Sequence, residues 1–422
     1  MLKSTYLKNK ETIHNFIWRS IQIFGKQGIT FLIFIICAKL LLPYDFGIYN
    51  YVLTIVFFLV IFGDFGISAS TSKYVAEYNA TDKRKLKLVL FNSGIIILAL
   101  TIIVTIITLL FGKLYLQEKY IYVLYLLPLI FLAPMTSLYD GIYRGLKKFK
   151  QLAIISVIIG LFSLTFIYFL INQYGLIGAL IAQNIFYLLL FISLALGFRD
   201  FKFEFNKKII KEIGSYSLII GIGGLSYFIY SRINILILGN YNYIVEIGYY
   251  ELINKIFLIL MLPFNIFSQV ISPQITELYS KKKIKNLIRD YKKYIFLSFI
   301  LSLFISLIIL FLFPIILKLF LNKYYNPLII RMMSFMLVIL VTQAITAISA
   351  VGFSTSTGHA KLNMYFLIIF GLINIPLTII FIEYFGFIGV IYSTVLIRFI
   401  TDISFTIIYF FILKSDLKKN EI

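Results

Sequence analysis

Long apolar runs fill most of this chain, and they decide what it can fold into. A helix needs about 20 consecutive, mostly apolar residues to cross the hydrocarbon core of a membrane. Stretches of this kind occur approximately at 13–42, 48–72, 88–112, 120–140, 151–172, 175–198, 213–238, 248–278, 294–321, 327–356, 362–384 and 386–413. The sequence therefore predicts an all-α integral membrane protein with about twelve transmembrane helices.

The composition argues against soluble functions. Hydrophobic residues make up 61% of the chain and charged residues 14%, whereas an ordinary soluble domain is roughly 45–50% apolar and about 25% charged. A soluble globule of this composition would expose large apolar patches. The single cysteine, Cys37, cannot form an internal disulfide, and CxxC-type metal motifs are absent from the sequence. We expect neither a metal site nor a cofactor.

Lysine and arginine are distributed unequally between the two sides of the predicted membrane. With a cytoplasmic N-terminus, 28 of the 39 basic residues fall in cytoplasmic segments, five in external segments and six inside spans. Because cytoplasmic loops carry the excess of basic residues in membrane proteins, both termini are predicted to be cytoplasmic. The net charge of +21 then requires no nucleic-acid partner. The short loops leave no room for a large catalytic domain, so we do not expect an enzyme.

The two halves of the chain repeat each other. Glycines at 141, 160, 175 and 178 recur 211 positions later, and DFGIYNYV (45–52) parallels EIGYYELI (246–253). Each half holds six predicted spans, an even number, so both halves enter the membrane in the same direction. We predict two parallel six-helix lobes, 1–198 and 213–422, joined by a basic cytoplasmic linker at 199–212. Repeats of this kind are typical of transporters that work by alternating access around a central cavity.

Several segments then suggest a family. The stretches AKLLLPYDFGIYNYV (38–52), FGDFGIS (62–68), KYVAEY (73–78) and SRINILILGNYNYIVEIGYY (231–250) resemble the polysaccharide-biosynthesis and O-antigen flippases. These flippases belong to the multidrug/oligosaccharidyl-lipid/polysaccharide (MOP) exporter superfamily. Twelve spans favour the O-antigen and capsule branch. The family often carries an aspartate just before the Leu-Ile-Leu-Gly stretch of span seven, where this chain has Asn234.

Basic residues inside the spans are the candidate substrate ligands. A charge at the centre of the bilayer costs at least ~2.5–3.5 kcal/mol, so each one needs an explanation. Arg19 and Lys26 are seven residues apart on one face of span one, and neither they nor Arg232 has an acid within four residues. With Lys255, these side chains form a series of cations from the inner to the outer side of the membrane. They are candidates for binding an anionic headgroup, or else for snorkelling and pairing between helices.

The acids inside the spans suggest ion pairs. Arg398 and Asp402 are four residues apart, as are Glu251 and Lys255, so each pair lies on one helical face and can form a structural ion pair. Asp64 lies deep in span two, where it could couple transport to a cation or pair with Lys26. The sequence contains no nucleotide-binding motif and no catalytic constellation.

The resulting hypothesis is a flippase of the bacterial cell (inner, or plasma) membrane that moves a polyprenyl-pyrophosphate-linked oligosaccharide outward. Its predicted partners are this lipid-linked oligosaccharide, the lipid bilayer and other membrane proteins of polysaccharide assembly. One alternative is a multidrug (MATE-like) exporter of the same superfamily. Six basic residues against three acids inside the spans disfavour an exporter of cationic drugs. A second alternative is a membrane scaffold or a polytopic glycosyl or acyl transferase.

Overall fold

The computed structural model describes the backbone of residues 2–198 and 202–421 and the side chains of residues 17–198 and 202–417. The first three residues of the predicted linker, 199–201, lie outside the described residues. So do the side chains of five basic residues counted for the topology: Lys3, Lys8, Lys10, Lys418 and Lys419. Every regular element in the described ranges is helical.

The helices follow one another with short connections. In chain order they are α1 Leu2–Leu40, α2 Pro43–Asp64, α3 Ile67–Thr81, α4 Lys83–Leu116, α5 Tyr120–Tyr125, α6 Leu127–Gly145, α7 Phe149–Leu196, α8 Lys207–Asn240, α9 Ile244–Ser280, α10 Ile284–Phe320, α11 Pro327–Ala347, α12 Ala360–Phe385 and α13 Ile388–Glu421. Two short 3₁₀ turns, Gln117–Lys119 and Asn322–Tyr324, and a π-helical segment, Ile348–Ser354, complete the described elements.

The long apolar helices cover most of the predicted spans. Ten helical segments of the described chain are long and apolar enough to cross a membrane. One of them, α7, has 48 residues, or about 72 Å at 1.5 Å per residue, more than twice the thickness of the hydrocarbon core. A non-helical residue, Gly175 (φ 55°, ψ −128°), divides it into two passes. The described chain thus has eleven candidate passes, close to the predicted twelve, and the predicted all-α membrane fold is confirmed.

Local sequence explains where several helices begin. Asp82 caps α4, accepting hydrogen bonds from the backbone N–H groups of Arg84 (3.0 Å) and Lys85 (3.2 Å). Asn326 caps α11 in the same manner, and Pro327 follows at the first helical position. Proline is tolerated there because the first N–H groups of a helix have no partner within it. These signals lie in the short connections where the sequence predicts helix ends.

The second pass is broken, whereas the sequence predicted one continuous span over 48–72. Phe65 (φ 33°) and Gly66 (φ 80°) separate α2 from α3. A Cβ at Gly66 would lie 2.7 Å from the carbonyl oxygen of Ser217. Glycine is needed at this break for two reasons, the left-handed backbone and the close approach of α8.

The chain forms two compact units, Met1–Leu225 and Ser226–Ile422. One buried cluster of the first unit includes Tyr78, Leu138, Tyr143, Leu194 and Ile213. A corresponding cluster of the second unit includes Ile275, Leu287, Tyr291, Phe353 and Tyr409. The boundary falls inside α8, C-terminal to the predicted linker.

The described part of the linker packs on the first unit. The Asn92 amide donates to the carbonyl of Glu204 (2.9 Å), and its oxygen accepts from the N–H of Asn206 (2.8 Å). Further along, the Tyr78 hydroxyl donates to the carboxylate of Glu212. The segment between the predicted lobes is therefore held to the first unit by specific hydrogen bonds.

The repeat read from the sequence recurs in the geometry of each unit. Gly175 and Gly386 both have a positive φ, 55° and 61°, at the break between two helical passes. In the first unit the Gln183 amide donates to the Tyr49 hydroxyl at 2.6 Å. In the second, the hydroxyls of Tyr250 and Thr394 lie 3.4 Å apart. Tyr49 and Tyr250 occupy matching positions in the two repeats.

Candidate functional site

A cavity with a partly polar lining lies inside the first unit, between α1, α2, α6 and α7. Its volume is about 230 Å³, below the roughly 300–1,000 Å³ typical of sites for drug-sized molecules. Apolar and aromatic side chains form part of its wall, among them Ile29, Phe57, Val60 and Phe186. Its polar lining consists of Lys26, Thr136, Ser137, Asp140, Arg144 and Ser156.

A chain of polar contacts links α1 to α6 beside this cavity. The Arg19 guanidinium donates to the side-chain oxygen of Gln22, and the Gln22 amide donates to Asp140 Oδ2 at 2.9 Å. Arg144 Nε lies 2.7 Å from Asp140 Oδ1. This last contact is an ion pair without hydrogen-bond geometry, since the buried Nε–H has no hydrogen-bond acceptor among the described residues. One carboxylate thus connects two arginines from different helices.

Lys26 lies two turns after Arg19 in α1, as the seven-residue spacing predicts. Its side chain lines the cavity. No carboxylate of the described side chains lies within 4.0 Å of its ammonium group. The cavity therefore has two lining cations, Lys26 and Arg144, and one lining acid, Asp140.

Asp64 does not pair with Lys26, the structural alternative that the sequence left open. Its Oδ1 accepts two bonds from Ser68, one from the backbone N–H at 2.9 Å and one from the hydroxyl at 2.5 Å. These bonds bridge the break between α2 and α3. The carboxylate thereby satisfies an N–H group in the first turn of α3, where no helical partner exists.

In the second unit Arg232 has a partner that the sequence did not predict. Its guanidinium lies 2.7 Å from Glu251 Oε1, whose side chain is only 3% exposed. The two residues lie on neighbouring helices, α8 and α9, and are 19 positions apart, so a search within four residues missed the pair. Lys255, the predicted partner of Glu251, lies within electrostatic range of the same carboxylate. Glu251 is therefore a structural acid shared by more than one cation.

Arg398 and Asp402 are buried near each other in α13, but each has a closer contact elsewhere. Asp402 accepts a hydrogen bond from the Thr342 hydroxyl at 3.0 Å. The Arg398 guanidinium lies over the ring of Phe257, 5.7 Å from its centroid. Arg398 and Asp402 form no salt bridge with each other, so the predicted ion pair is wrong, and α11 supplies the hydrogen bond to Asp402 instead. Among the described residues, no group of His, Cys, Asp and Glu could hold a metal ion.

Comparison with known proteins supplies the family. A sequence profile described as "Polysaccharide biosynthesis protein" matches residues 12–279, more than half of the chain. The chain belongs to this family. A second profile, MatE, matches residues 220–380. Among curated proteins there is no match.

Solved structures with the same fold extend over nearly the whole chain. An inward-facing multidrug resistance MATE family transporter of the MOP superfamily is 17% identical, with a TM-score of 0.81, covering 95% of this chain and 99% of that one. The outward-facing form of a MATE family transporter of the same superfamily gives 18% identity, a TM-score of 0.65 and coverages of 97% and 96%. A MOP superfamily transporter from Pyrococcus furiosus Vc1 is 17% identical, with a TM-score of 0.64, and the match covers 96% of each chain. This member of the polysaccharide biosynthesis family thus has the same multi-pass helical fold as these transporters.

The position where the family often has an aspartate is occupied here by a neutral network. The Asn234 amide donates to the Thr394 hydroxyl at 2.7 Å, and its oxygen accepts from the Asn374 amide (3.0 Å) and the Thr378 hydroxyl (3.1 Å). All four side chains are buried. Because the side-chain oxygen and the side-chain nitrogen of Asn234 both have hydrogen-bond partners, this buried network needs no charged residue.

Sequence reasoning missed Asp140 and Arg144, which form the charged end of the cavity. Arg144 counted as a loop cation, and Asp140 stood at the last position of a predicted span. Two signals were available: the i, i+4 spacing of an acid and a base, and Thr136, one turn before Asp140 on the same face. Together with Lys26 and Arg19, these residues provide an excess of positive charge in a confined space. Such an arrangement suits an anionic ligand.

Proposed function

We propose that this protein is a flippase that carries a polyprenyl-pyrophosphate-linked oligosaccharide, such as an O-antigen, capsule or exopolysaccharide repeat unit, across the bacterial cell membrane. The observation that carries the proposal is the cavity of the first unit, where Lys26 and Arg144 face one acid, Asp140. Membership of the polysaccharide biosynthesis family supports it.

The chemistry of the headgroup suits this charge distribution. A pyrophosphate presents several anionic oxygens, and guanidinium groups bind such oxygens through paired hydrogen bonds. The cavity has room for the charged linkage rather than for a whole oligosaccharide, so the lipid tail would stay in the bilayer and the sugars would extend outside the cavity. The inside-negative membrane potential favours outward movement of an anion, by about 2.3 kcal/mol per charge per 100 mV.

We assign direct headgroup contacts to Arg19 and Lys26, which lie beside the cavity and in its wall. Lys255, which lies near Glu251 in the second unit, is a further cation of the series predicted from the sequence. Arg232 belongs to the same series of cations, but its ion pair with Glu251 gives it a structural role as well. We further propose that both termini are cytoplasmic and that the protein works beside other membrane proteins of polysaccharide assembly.

Export of surface glycan tests the proposal. Replacing Arg19 or Lys26 by alanine removes a charge-assisted contact worth ~1.5–3 kcal/mol, or roughly ten- to over a hundredfold in affinity. Glycan on the cell surface should fall sharply while the amount of protein in the membrane stays normal. The matched control is Lys318→Ala, an exposed cation near the end of α10, which should change nothing. Full export by an abundant Arg19→Ala/Lys26→Ala double variant would contradict the proposal.

A multidrug exporter is the second candidate, favoured by the MatE profile over residues 220–380. Exporters of cationic drugs need acids that can bind the drug. Glu251, within the matched residues, and Asp402, beyond them, are both buried. Glu251, however, already pairs with Arg232, and Asp402 already accepts a hydrogen bond from Thr342. Efflux of a cationic dye from cells separates the candidates. Dye efflux that depends on Glu251 or Asp402, with unchanged surface glycan, would favour the exporter.

A further inference from the structure

Asp140 has a position that the proposed function does not explain. It is the one acid among the described residues that line the cavity, and it faces the same space as Lys26 and Arg144. A site built only to attract an anion would be expected to exclude a carboxylate, since the carboxylate repels the ligand and occupies its binding partners. The presence of Asp140 therefore requires a role.

The contact between Asp140 and Arg144 is close but incomplete. The nitrogen and oxygen are 2.7 Å apart, yet the buried Nε–H of Arg144 finds no hydrogen-bond acceptor among the described residues. A guanidinium has five N–H donors in a fixed planar arrangement, and a phosphate group can accept two of them in parallel. A phosphate is thus a better partner for Arg144 than Asp140 is in this arrangement.

The same carboxylate is also connected to Arg19 by hydrogen bonds through Gln22. Its second oxygen accepts from Gln22, which in turn accepts from Arg19. A change in the partner of Asp140 would therefore reach the cation on α1 through one amide side chain. The two arginines are coupled through Asp140.

The backbone that presents Asp140 is held in place by packing. A Cβ at Gly141 would lie 2.4 Å from the carbonyl oxygen of Ser68, and one at Gly145 would lie 2.6 Å from that of Ser72. Helix α6 is therefore packed directly on α3 at the residue after Asp140 and again one turn later. Exchange of ion-pair partners at this site needs side-chain rotation only.

We propose that Asp140 competes with the anionic headgroup for Arg144, within an anion subsite formed by residues of the first unit alone. Asp140 neutralises Arg144 when no headgroup is bound, yields Arg144 to a phosphate oxygen when a headgroup enters, and takes it back when the headgroup leaves. This competition lowers affinity and speeds release, which a transporter needs on the side of delivery. The inference rests on the proposed function.

Equilibrium binding to the purified full-length protein in detergent micelles tests this role. The probe is farnesyl diphosphate, and binding is followed by calorimetry and by the fluorescence of Trp18, the single tryptophan, which adjoins Arg19 in sequence. In Asp140→Asn the competitor loses its charge, so the dissociation constant should fall about tenfold, with a matching decrease in the release rate. Asp140→Ser should behave in the same way, so the test does not depend on one neutral replacement.

Two controls keep the result specific. Asp140→Glu retains the charge, so its dissociation constant should lie closer to that of the wild type than to that of Asp140→Asn. Glu118→Gln changes the net charge by the same amount at an exposed turn and should leave the dissociation constant unchanged. Equal tightening in Glu118→Gln would show a general charge effect and overturn the inference.

The outcomes also distinguish this inference from the proposed function. If the wild type binds farnesyl diphosphate but neutral variants of Asp140 bind it equally or more weakly, the competitor role is wrong and the flippase proposal remains. If the wild type fails to bind farnesyl diphosphate at all, the headgroup site itself is wrong, and the role of Asp140 falls with it.

Discussion

Gly178 and Gly389, 211 positions apart, make the same close contact in the two units. A Cβ at Gly178 would lie 1.9 Å from the carbonyl oxygen of Leu170, and one at Gly389 would lie 2.0 Å from that of Phe381. Each carbonyl belongs to the residue eight positions earlier, across the break at Gly175 or Gly386. At these breaks the helix that follows packs so closely on the backbone of the helix before it that no side chain larger than hydrogen fits.

The first prediction concerns these two glycines. Gly178→Ala and Gly389→Ala force the Cβ against backbone that cannot move away, so each should destabilise the protein by about 1–3 kcal/mol. Thermal unfolding of the purified protein in detergent measures the loss. Gly94→Ala in α4, where a Cβ would meet open space, is the matched control and should be neutral or slightly stabilising. Equal stability of all three variants would contradict the repeated close contact.

The second prediction concerns the buried ion pair. Arg232→Ala leaves the Glu251 charge, 3% exposed, without its closest partner. The cost should be roughly 3 kcal/mol, the lower end for a broken buried pair, because Lys255 stays near. Membrane abundance should fall, and the double variant Arg232→Ala/Glu251→Ala should recover most of it.

An exposed pair provides the comparison for Arg232. Lys281 pairs with Glu277 at the surface, and such pairs contribute little because water screens them. Lys281→Ala should leave abundance unchanged. Normal abundance of Arg232→Ala, together with lost glycan export, would instead make Arg232 a substrate ligand, as the sequence suggested.

The third prediction tests whether Asp64 couples transport to an ion or only stabilises the fold. Asp64→Asn retains the oxygen that accepts both bonds from Ser68, so the fold and any dependence on a sodium or proton gradient should persist. Asp64→Leu removes the acceptor and should lower abundance. Transport in vesicles with imposed gradients measures the dependence. Loss of that dependence in Asp64→Asn would assign ion coupling to this carboxylate, because the amide cannot carry the charge.

The fourth prediction concerns topology. Reporter fusions at Lys283, between α9 and α10, and at the C-terminus should both report a cytoplasmic location, since most Lys and Arg residues fall on that side of the membrane. A fusion at Asn322, after α10, should report an external location. An external result at Lys283 would break the model of two parallel repeats.

The fifth prediction concerns the attachment of the linker. Asn92 is fully buried and bonds to the backbone at Glu204 and Asn206. Asn92→Ala removes these two hydrogen bonds, each worth about 0.5–1.5 kcal/mol. Trypsin should then cleave faster at Lys202 and Lys207. The exposed Asn172 offers a control, since Asn172→Ala should leave the cleavage rate unchanged.

Much of the fold could be predicted from local sequence. In a bilayer each backbone N–H and C=O needs a partner within the same helix, so an apolar run of sufficient length specifies its own structure. The positive φ angles at Gly175 and Gly386 occur where the repeated glycines indicated that spans begin. The break at Phe65–Gly66 was not predicted, because apolar residues continue through it and only the packing of α8 on Gly66 requires it.

The charged site could be predicted only in part. Arg19 and Lys26 were found because a helix places residues seven apart on one face. Asp140 was missed, since its contact with Gln22 joins residues 118 positions apart.

The sequence by itself determined the approximate number of passes, the repeat and the excess of cations, since these depend on composition and on spacing along the chain. Only the tertiary structure decided which charges meet. Glu251 pairs with Arg232 of the neighbouring helix, and Asp140 links Arg19 of α1, through Gln22, to Arg144 of α6. The physical reason is that ion pairing depends on the distance and rotation between packed helices, which local spacing does not contain.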